Sequence, residues 1–177
     1  GAHIRHYLSA FNGNPGRPLA ALSFVIEDAA WPTDPAPFKR NNLLWHLLAG
    51  VLLFALSRQL ARLLPTLAPK ADLIALAATA VWLLHPIQLS STMLVVQRMN
   101  ILSTILILAG LLVYVKCLRL ESLPEFWRVA FAGISLAVFP AAAILCKENG
   151  ILIFAYAVAL NTTLLRSIVS DFATPCR

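Results

Sequence analysis

The chain has 177 residues, 59% of them hydrophobic and 12% charged, with a mean hydropathy of +0.77. Soluble domains carry roughly 25% charged residues, so such sparse charge along several long apolar runs excludes an ordinary soluble core and points to a bilayer. The net charge of +6 does not indicate nucleic acid, because the basic residues punctuate the apolar runs and form no stripe interleaved with aromatics; membrane lipids and phosphorylated substrates are the expected partners.

The chain opens GAHIRHYLSAFNGNPGRP, without an initiator Met or a signal-peptide pattern, and is expected to be a fragment. Residues 1–42 are polar and rich in Gly, Pro and Asn, apart from PLAALSFVIEDAAW. There Leu19, Leu22, Ser23, Val25, Ile26 and Ala29 predict a short helix bounded by Pro18 and Pro32. It is too short to span, and it suits the membrane interface or the top of a bundle.

Five apolar runs follow, at roughly 43–64, 73–84, 101–115, 129–145 and 151–165. Several fall short of the ~20 residues a helix needs to cross ~30 Å, so flanking residues must extend them. The last two are separated only by CKENG; Lys147 and Glu148 would be costly at mid-membrane and Asn149-Gly150 is a turn signal, which predicts two spans. The expected fold class is all-α: a polytopic membrane helix bundle of about five transmembrane helices plus a short interfacial helix. Residues 1–42 form a non-cytoplasmic loop, 43–166 the bundle, and 167–177 a cytoplasmic tail or a truncated continuation.

Each span reverses the chain. One end therefore receives residues 1–42, the 85–100 connection and the 146–150 turn. The other receives Arg58, Arg62, Lys70, Lys116, Arg119, Arg128, Arg166 and Arg177, eight basic residues against six, which the positive-inside rule assigns to the cytoplasm.

The non-cytoplasmic end collects the polar residues of interest. His85-Pro86 closes the second run, since proline disfavours helical geometry in the residue before it, and IQLSSTMLVVQ predicts a short surface or re-entrant helix before Arg98. Taken singly, His85 reads as a helix-end residue and Arg98 as a snorkelling anchor. Taken together, Arg17, His85, Gln97, Arg98 and Lys147 make a clamp for phosphate oxygens, with arginine offering a planar fork and lysine a point charge. Glu148 is expected to orient a neighbour such as Arg98 or His85.

Glu27-Asp28 is the only adjacent acidic pair on that side. Adjacent helical residues do not converge on one point, so the pair reads as a solvated helix end more than as a catalytic site. Cys117, Cys146 and Cys176 lie far apart with no CxxC pair, so no metal site is expected and Cys117 and Cys146 read as small hydrophobes. Asn161-Thr162-Thr163 matches a glycosylation pattern but falls at the end of the last run, which discounts it.

GRPLAALSF, NLLWHLL, HPIQLSSTMLVVQRMNILS and LCKENGIL follow one another in this chain. Their order resembles the membrane part of the transmembrane and tetratricopeptide-repeat O-mannosyltransferases and their bacterial relatives, within the GT-C glycosyltransferase class. The similarity runs from about residue 16 to residue 165. It implies a partial GT-C module in which a sugar passes from a polyprenyl-phosphate donor to a hydroxyl of a protein or glycan acceptor, on the periplasmic or luminal face. A bacterial inner membrane is the expected location. By matching position it singles out Arg17, Asn42, His46, His85, Arg98, Lys147 and Glu148, with Asn42 and His46 in supporting roles and His85 and Glu148 as the candidates for catalysis.

No cofactor is implied beyond the lipid-linked substrate, with a divalent metal left open. Two departures stand out. Cys146 occupies the place of a family-like serine, and residues 1–16 hold no Asp or Glu, so the catalytic acid is expected upstream of Gly1. No 34-residue helical repeat is readable. The alternatives are a polymerase or ligase of lipid-linked glycans, with the same donor chemistry, and a non-enzymatic transporter or scaffold whose cations anchor lipid; the absence of an internal repeat weighs against a transporter.

Overall fold

The computed structural model describes residues 17–27 and 35–164. Asp28, Cys176, residues 1–16 and the tail expected at 167–177 lie outside the described residues. The described chain is helical, with seven α-helices and no strand among the described residues. In chain order they are α1 (Pro18–Val25), α2 (Ala36–Ala61), α3 (Ala71–Leu84), α4 (Gln88–Met93), α5 (Arg98–Leu118), α6 (Glu125–Ile144) and α7 (Leu152–Thr163).

Proline sets several of these boundaries. Pro18 opens α1 and Pro37 sits in the first turn of α2, where a missing N–H leaves no helical bond unmade. Pro124 precedes α6. At the end of α3, His85 is extended at φ −64° and ψ 130°, as the residue before a proline requires. The connection that follows is α4 and then a 3₁₀ turn, Val95–Gln97, leading directly into α5. The short surface helix expected there is present.

All five apolar runs are helical, as α2, α3, α5, α6 and α7, but they differ in reach. Three segments, Ala36–Ala61, Val95–Leu118 and Glu125–Ile144, are long and apolar enough to cross a membrane. The other two helices, α3 and α7, have 14 and 12 residues. At a rise of about 1.5 Å per residue they extend only ~20 Å, short of a ~30 Å hydrocarbon core. By length and composition three helices are therefore candidate spans among the described residues; α3 ends at His85-Pro86, and α7 starts only after the 3₁₀ turn Glu148–Ile151.

The packing puts many large apolar side chains outside as well as inside. Small residues such as Ala49, Ala75, Thr79, Ala132, Ser135, Ala143 and Ala157 are buried between helices. Leu43, Leu44, Leu47, Val51, Leu73, Leu76, Val81, Ile134 and Val138 face outward. Small side chains let helix backbones approach where no aqueous hydrophobic force drives them together, and an apolar exterior is what lipid tails solvate. These features fit an integral membrane protein.

One larger apolar cluster, including Leu56, Leu111, Tyr114, Val115, Leu118 and Ile153, ties α2, α5 and α7 together. Gly110 allows the closest approach there: a Cβ would lie 2.7 Å from both Phe139 Cβ and Ile153 Cδ1. Beside this cluster the Tyr114 hydroxyl donates to Asn161 Oδ1 at 2.9 Å. Asn161 is thus a helix-packing residue, in keeping with the discounted glycosylation pattern.

Candidate functional site

The polar motifs meet at one end of the bundle. The Leu19 amide donates to the Leu145 carbonyl at 3.3 Å, which lays the start of α1 against the end of α6. Arg17 Nη2 then reaches both carboxylate oxygens of Glu148, at 3.0 and 3.1 Å, while its Nη1 lies 2.7 Å from Met99 Sδ on α5. Glu148 therefore orients Arg17, not Arg98 or His85. Its own backbone amide and the Arg17 guanidinium hold the Glu148 carboxyl below the usual range.

Lys147 precedes Glu148 with an extended backbone, φ −160° and ψ 148°. That conformation turns the two side chains to different partners. Lys147 Nζ donates to Asn100 Oδ1, and Asn100 Nδ2 donates to Gln97 Oε1. Gln97 thus holds an amide that holds a lysine. Lys147 has no acidic partner among the described residues. Arg17 is offset by Glu148, so Lys147 is the cation of this cluster that makes no salt bridge among the described residues.

The turn bearing these residues depends on Gly150. A Cβ there would sit 2.5 Å from the Ile144 nitrogen and 2.6 Å from the Ala143 carbonyl carbon, both backbone atoms that cannot step aside. Cys146, at the place of the family-like serine, is fully buried, and burial pushes its thiol up to about 11. It fills the interior as a small hydrophobe, as expected.

Arg98 corrects its expected role. The sequence suggests a phosphate ligand or an anchor, yet its side chain is 0% exposed. Nε donates to Asn42 Oδ1 at 2.8 Å, Nη1 to the Ser23 carbonyl at 3.2 Å and Nη2 to the Phe38 carbonyl at 3.2 Å. Glu27 Oε2 lies 2.8 Å from Nη2 as an ion pair, out of line for a hydrogen bond. The guanidinium also lies 4.7 Å from the Phe24 ring centroid and 5.6 Å from that of Phe38, within cation–π range. Arg98 is the post that fixes α1 and the start of α2 to α5, and it offers nothing to an outside ligand.

The supporting residues are interior ones. Asn42 is 0% exposed and its Nδ2 donates to the Leu94 carbonyl at 3.4 Å, joining α2 to the 85–100 connection. His46, one turn on, stacks on Trp82 at 5.0 Å between ring centroids and lies 3.3 Å from the Leu83 carbonyl through Nε2. His85 is exposed and its Nδ1 accepts from the Ile87 amide at 3.2 Å. It touches neither Arg17 nor Lys147 and acts on its own turn.

Glu27 is the residue that sequence reasoning missed. Expected at a solvated helix end, its side chain is 20% exposed and faces Arg98. The signal available was a lone acid pair near an anomalous arginine, but 71 positions separate Glu27 from Arg98 and only the fold joins them.

Asn100, the partner of Lys147, also lines a small recess with His46, Ala49, Trp82, Gln88, Ser91, Ile101 and Thr104. It adjoins a cavity of about 400 Å³ walled by Leu53, Ile107, Leu108, Leu111 and Tyr156, the two sharing Trp82, Gln88 and Thr104. No group of His, Cys, Asp and Glu capable of holding a metal ion occurs among the described residues. Comparison of the chain with family models, with curated proteins and with solved structures finds no match.

Proposed function

We propose that this chain is the membrane part of a glycosyltransferase that takes a sugar from a polyprenyl-phosphate donor and delivers it to a hydroxyl acceptor on the non-cytoplasmic face. The observation that carries the reading is the amide relay from Gln97 through Asn100 to Lys147. It holds Lys147, which makes no salt bridge among the described residues, against Asn100, and Asn100 lines a small recess that shares Trp82, Gln88 and Thr104 with a cavity of about 400 Å³.

In this reading Lys147 meets the lipid phosphate, and Arg17 stands beside it, held in place by Glu148. As the sugar leaves, negative charge grows on the phosphate oxygen, and a pre-positioned cation in a water-poor site lowers that barrier. Gln97 and Asn100 position the cation. Arg98, Asn42 and His46 keep the elements that carry the site in register, and the general base is supplied by a residue other than these.

The test is sugar transfer from a polyprenyl-phosphate donor by the full-length protein in lipid nanodiscs. Lys147→Ala is expected to lower the rate about 100-fold, the size of effect seen on removing one pre-positioned donor from a charge-stabilising site, with unchanged thermal stability. A normal rate in a folded Lys147→Ala protein would sink the proposal.

A further inference from the structure

Between Asp72 and Arg98 the chain holds no Asp, Glu, Lys or Arg, yet α3 covers only the first part of that interval and ends at Leu84. The rest, residues 85–97, is the break at Pro86, then α4 and the 3₁₀ turn. Its polarity is opposite to that of a helix lying on water. Gln88 and Ser91 turn inward to the recess and Thr92 is buried, whereas Ile87, Leu89, Met93, Leu94 and Val96 are 49–69% exposed.

Contacts with α2 give the depth of this segment. Near the end of α2, Arg58 donates to Asp72, and a charged pair of this kind belongs at the edge of the hydrocarbon core. His46, 12 positions nearer the start of α2, meets the Leu83 carbonyl, and Asn42, 16 positions nearer, donates to the Leu94 carbonyl. At a rise of 1.5 Å per residue these contacts stand ~18 and ~24 Å along α2 from the charged pair. The core is ~30 Å thick, so the segment lies roughly 6–12 Å inside its far edge. Tilting α2 only carries it deeper. Leu43, Leu44 and Leu47 are exposed at the same height and continue the apolar surface.

A broken helix at that depth is tolerated only where its backbone groups are met without water. The break at Pro86 meets that condition at several atoms. The Leu83 carbonyl, which the end of α3 leaves without a helical donor, lies 3.3 Å from His46 Nε2, and the Ile87 amide beyond the proline donates to His85 Nδ1 at 3.2 Å. The Leu94 carbonyl accepts from the Gln97 amide at 3.0 Å as well as from Asn42. The exposed Ser90 hydroxyl donates to the Ile87 carbonyl at 3.1 Å, and the Thr92 hydroxyl likewise donates within α4.

We infer that residues 85–97 lie among the acyl chains of the non-cytoplasmic leaflet, so that α3 and this segment together make one broken span whose outward face is covered by lipid. Helix α4 is then the wall between that leaflet and the recess lined by Gln88 and Ser91. The inference rests on the chain crossing a bilayer and not on sugar transfer, so either reading can fail without the other.

The experiment places a nitroxide label on Leu89→Cys or Leu94→Cys in full-length protein whose Cys117, Cys146 and Cys176 are replaced by alanine, in phosphatidylcholine nanodiscs. Leu44→Cys is the reference for lipid and Lys70→Cys the reference for water. Collision rates are measured with oxygen, which concentrates among acyl chains, and with a nickel chelate, which stays in water. The oxygen-to-nickel ratio at both test positions is expected to match that of Leu44→Cys within threefold and to exceed that of Lys70→Cys at least tenfold. A ratio like that of Lys70→Cys means a segment lying in water, and weak collision with both reagents means a protein cover; either result overturns the inference. The wild type supplies a second measurement that needs no variant to fold. A phosphatidylcholine with a diazirine partway along its acyl chain is photolysed in the disc, and the adducts are mapped by peptide mass spectrometry. Adducts within residues 87–96 are expected, and their absence there while α2 and α6 are labelled overturns the inference as well.

Discussion

Arg98 and Glu27 meet inside the bundle with the carbonyls of Ser23 and Phe38 and the Asn42 amide around them. Removing the guanidinium leaves a carboxylate and three acceptors with no donor, and breaking a buried pair from one side costs about 3–5 kcal/mol. Arg98→Ala is therefore expected to lower thermal stability sharply in a detergent melt, and Arg98→Lys only partly to rescue it, because an ammonium cannot reach all of these acceptors at once. The exposed Arg17 to Glu148 pair behaves differently. Since the Glu148 carboxyl is held below its ordinary value, its contribution is complete above the unfolded-state value of about 4.3 and disappears as pH falls through the lower folded value. Melting temperatures of the wild type and Glu148→Gln measured across pH should differ by a constant amount near neutrality and converge below pH ~4; a difference that persists in acid would refute the pairing. Arg98 was conspicuous in the sequence as a charge within apolar surroundings, but its partners lie 56, 60 and 75 positions away. Nothing local to QRMN distinguishes an inward arginine from a phosphate ligand.

The helices were the most legible part of the chain, because apolar runs and prolines act over a few residues at a time. Pro18, Pro86 and Pro124 mark boundaries that the backbone obeys. Reach was less legible: α3, Ala71–Leu84, starts before its apolar run and α7, Leu152–Thr163, falls short of its run, and both stay shorter than a bilayer core. The turn between α6 and α7 was readable as a turn from Asn149-Gly150, but not the reason for its glycine. That reason is steric, a backbone lying within 2.6 Å of where a Cβ would stand. Gly150→Ala is expected to destabilise by about 1–3 kcal/mol, the usual cost of overpacking, and to lower activity further than stability because Lys147 and Glu148 ride on this turn. A melt and a transfer assay on the same preparation separate the two effects.

At the scale of the whole molecule, the many exposed Leu, Ile, Val and Phe side chains, with Ala, Gly, Ser and Thr among the residues buried between helices, fit a protein solvated by lipid. The chain is expected to stay with the bilayer through an alkaline carbonate wash, and its release into the soluble fraction would contradict three membrane-crossing helices. Composition made this environment readable before any helix was placed, whereas the meeting of the GRP, VQRMN and CKENG segments at one end required counting crossings. Arg17 and Glu148 are 131 positions apart. At a synthesis rate of about 5–20 residues per second, Glu148 is made roughly ten seconds after Arg17. During that interval a nascent chain has its first helices but no oriented arginine, so a ribosome-arrested chain ending before residue 147 should be inserted yet unable to hold an anion. The candidate site comes into being late, as an event in time as much as a place in the fold.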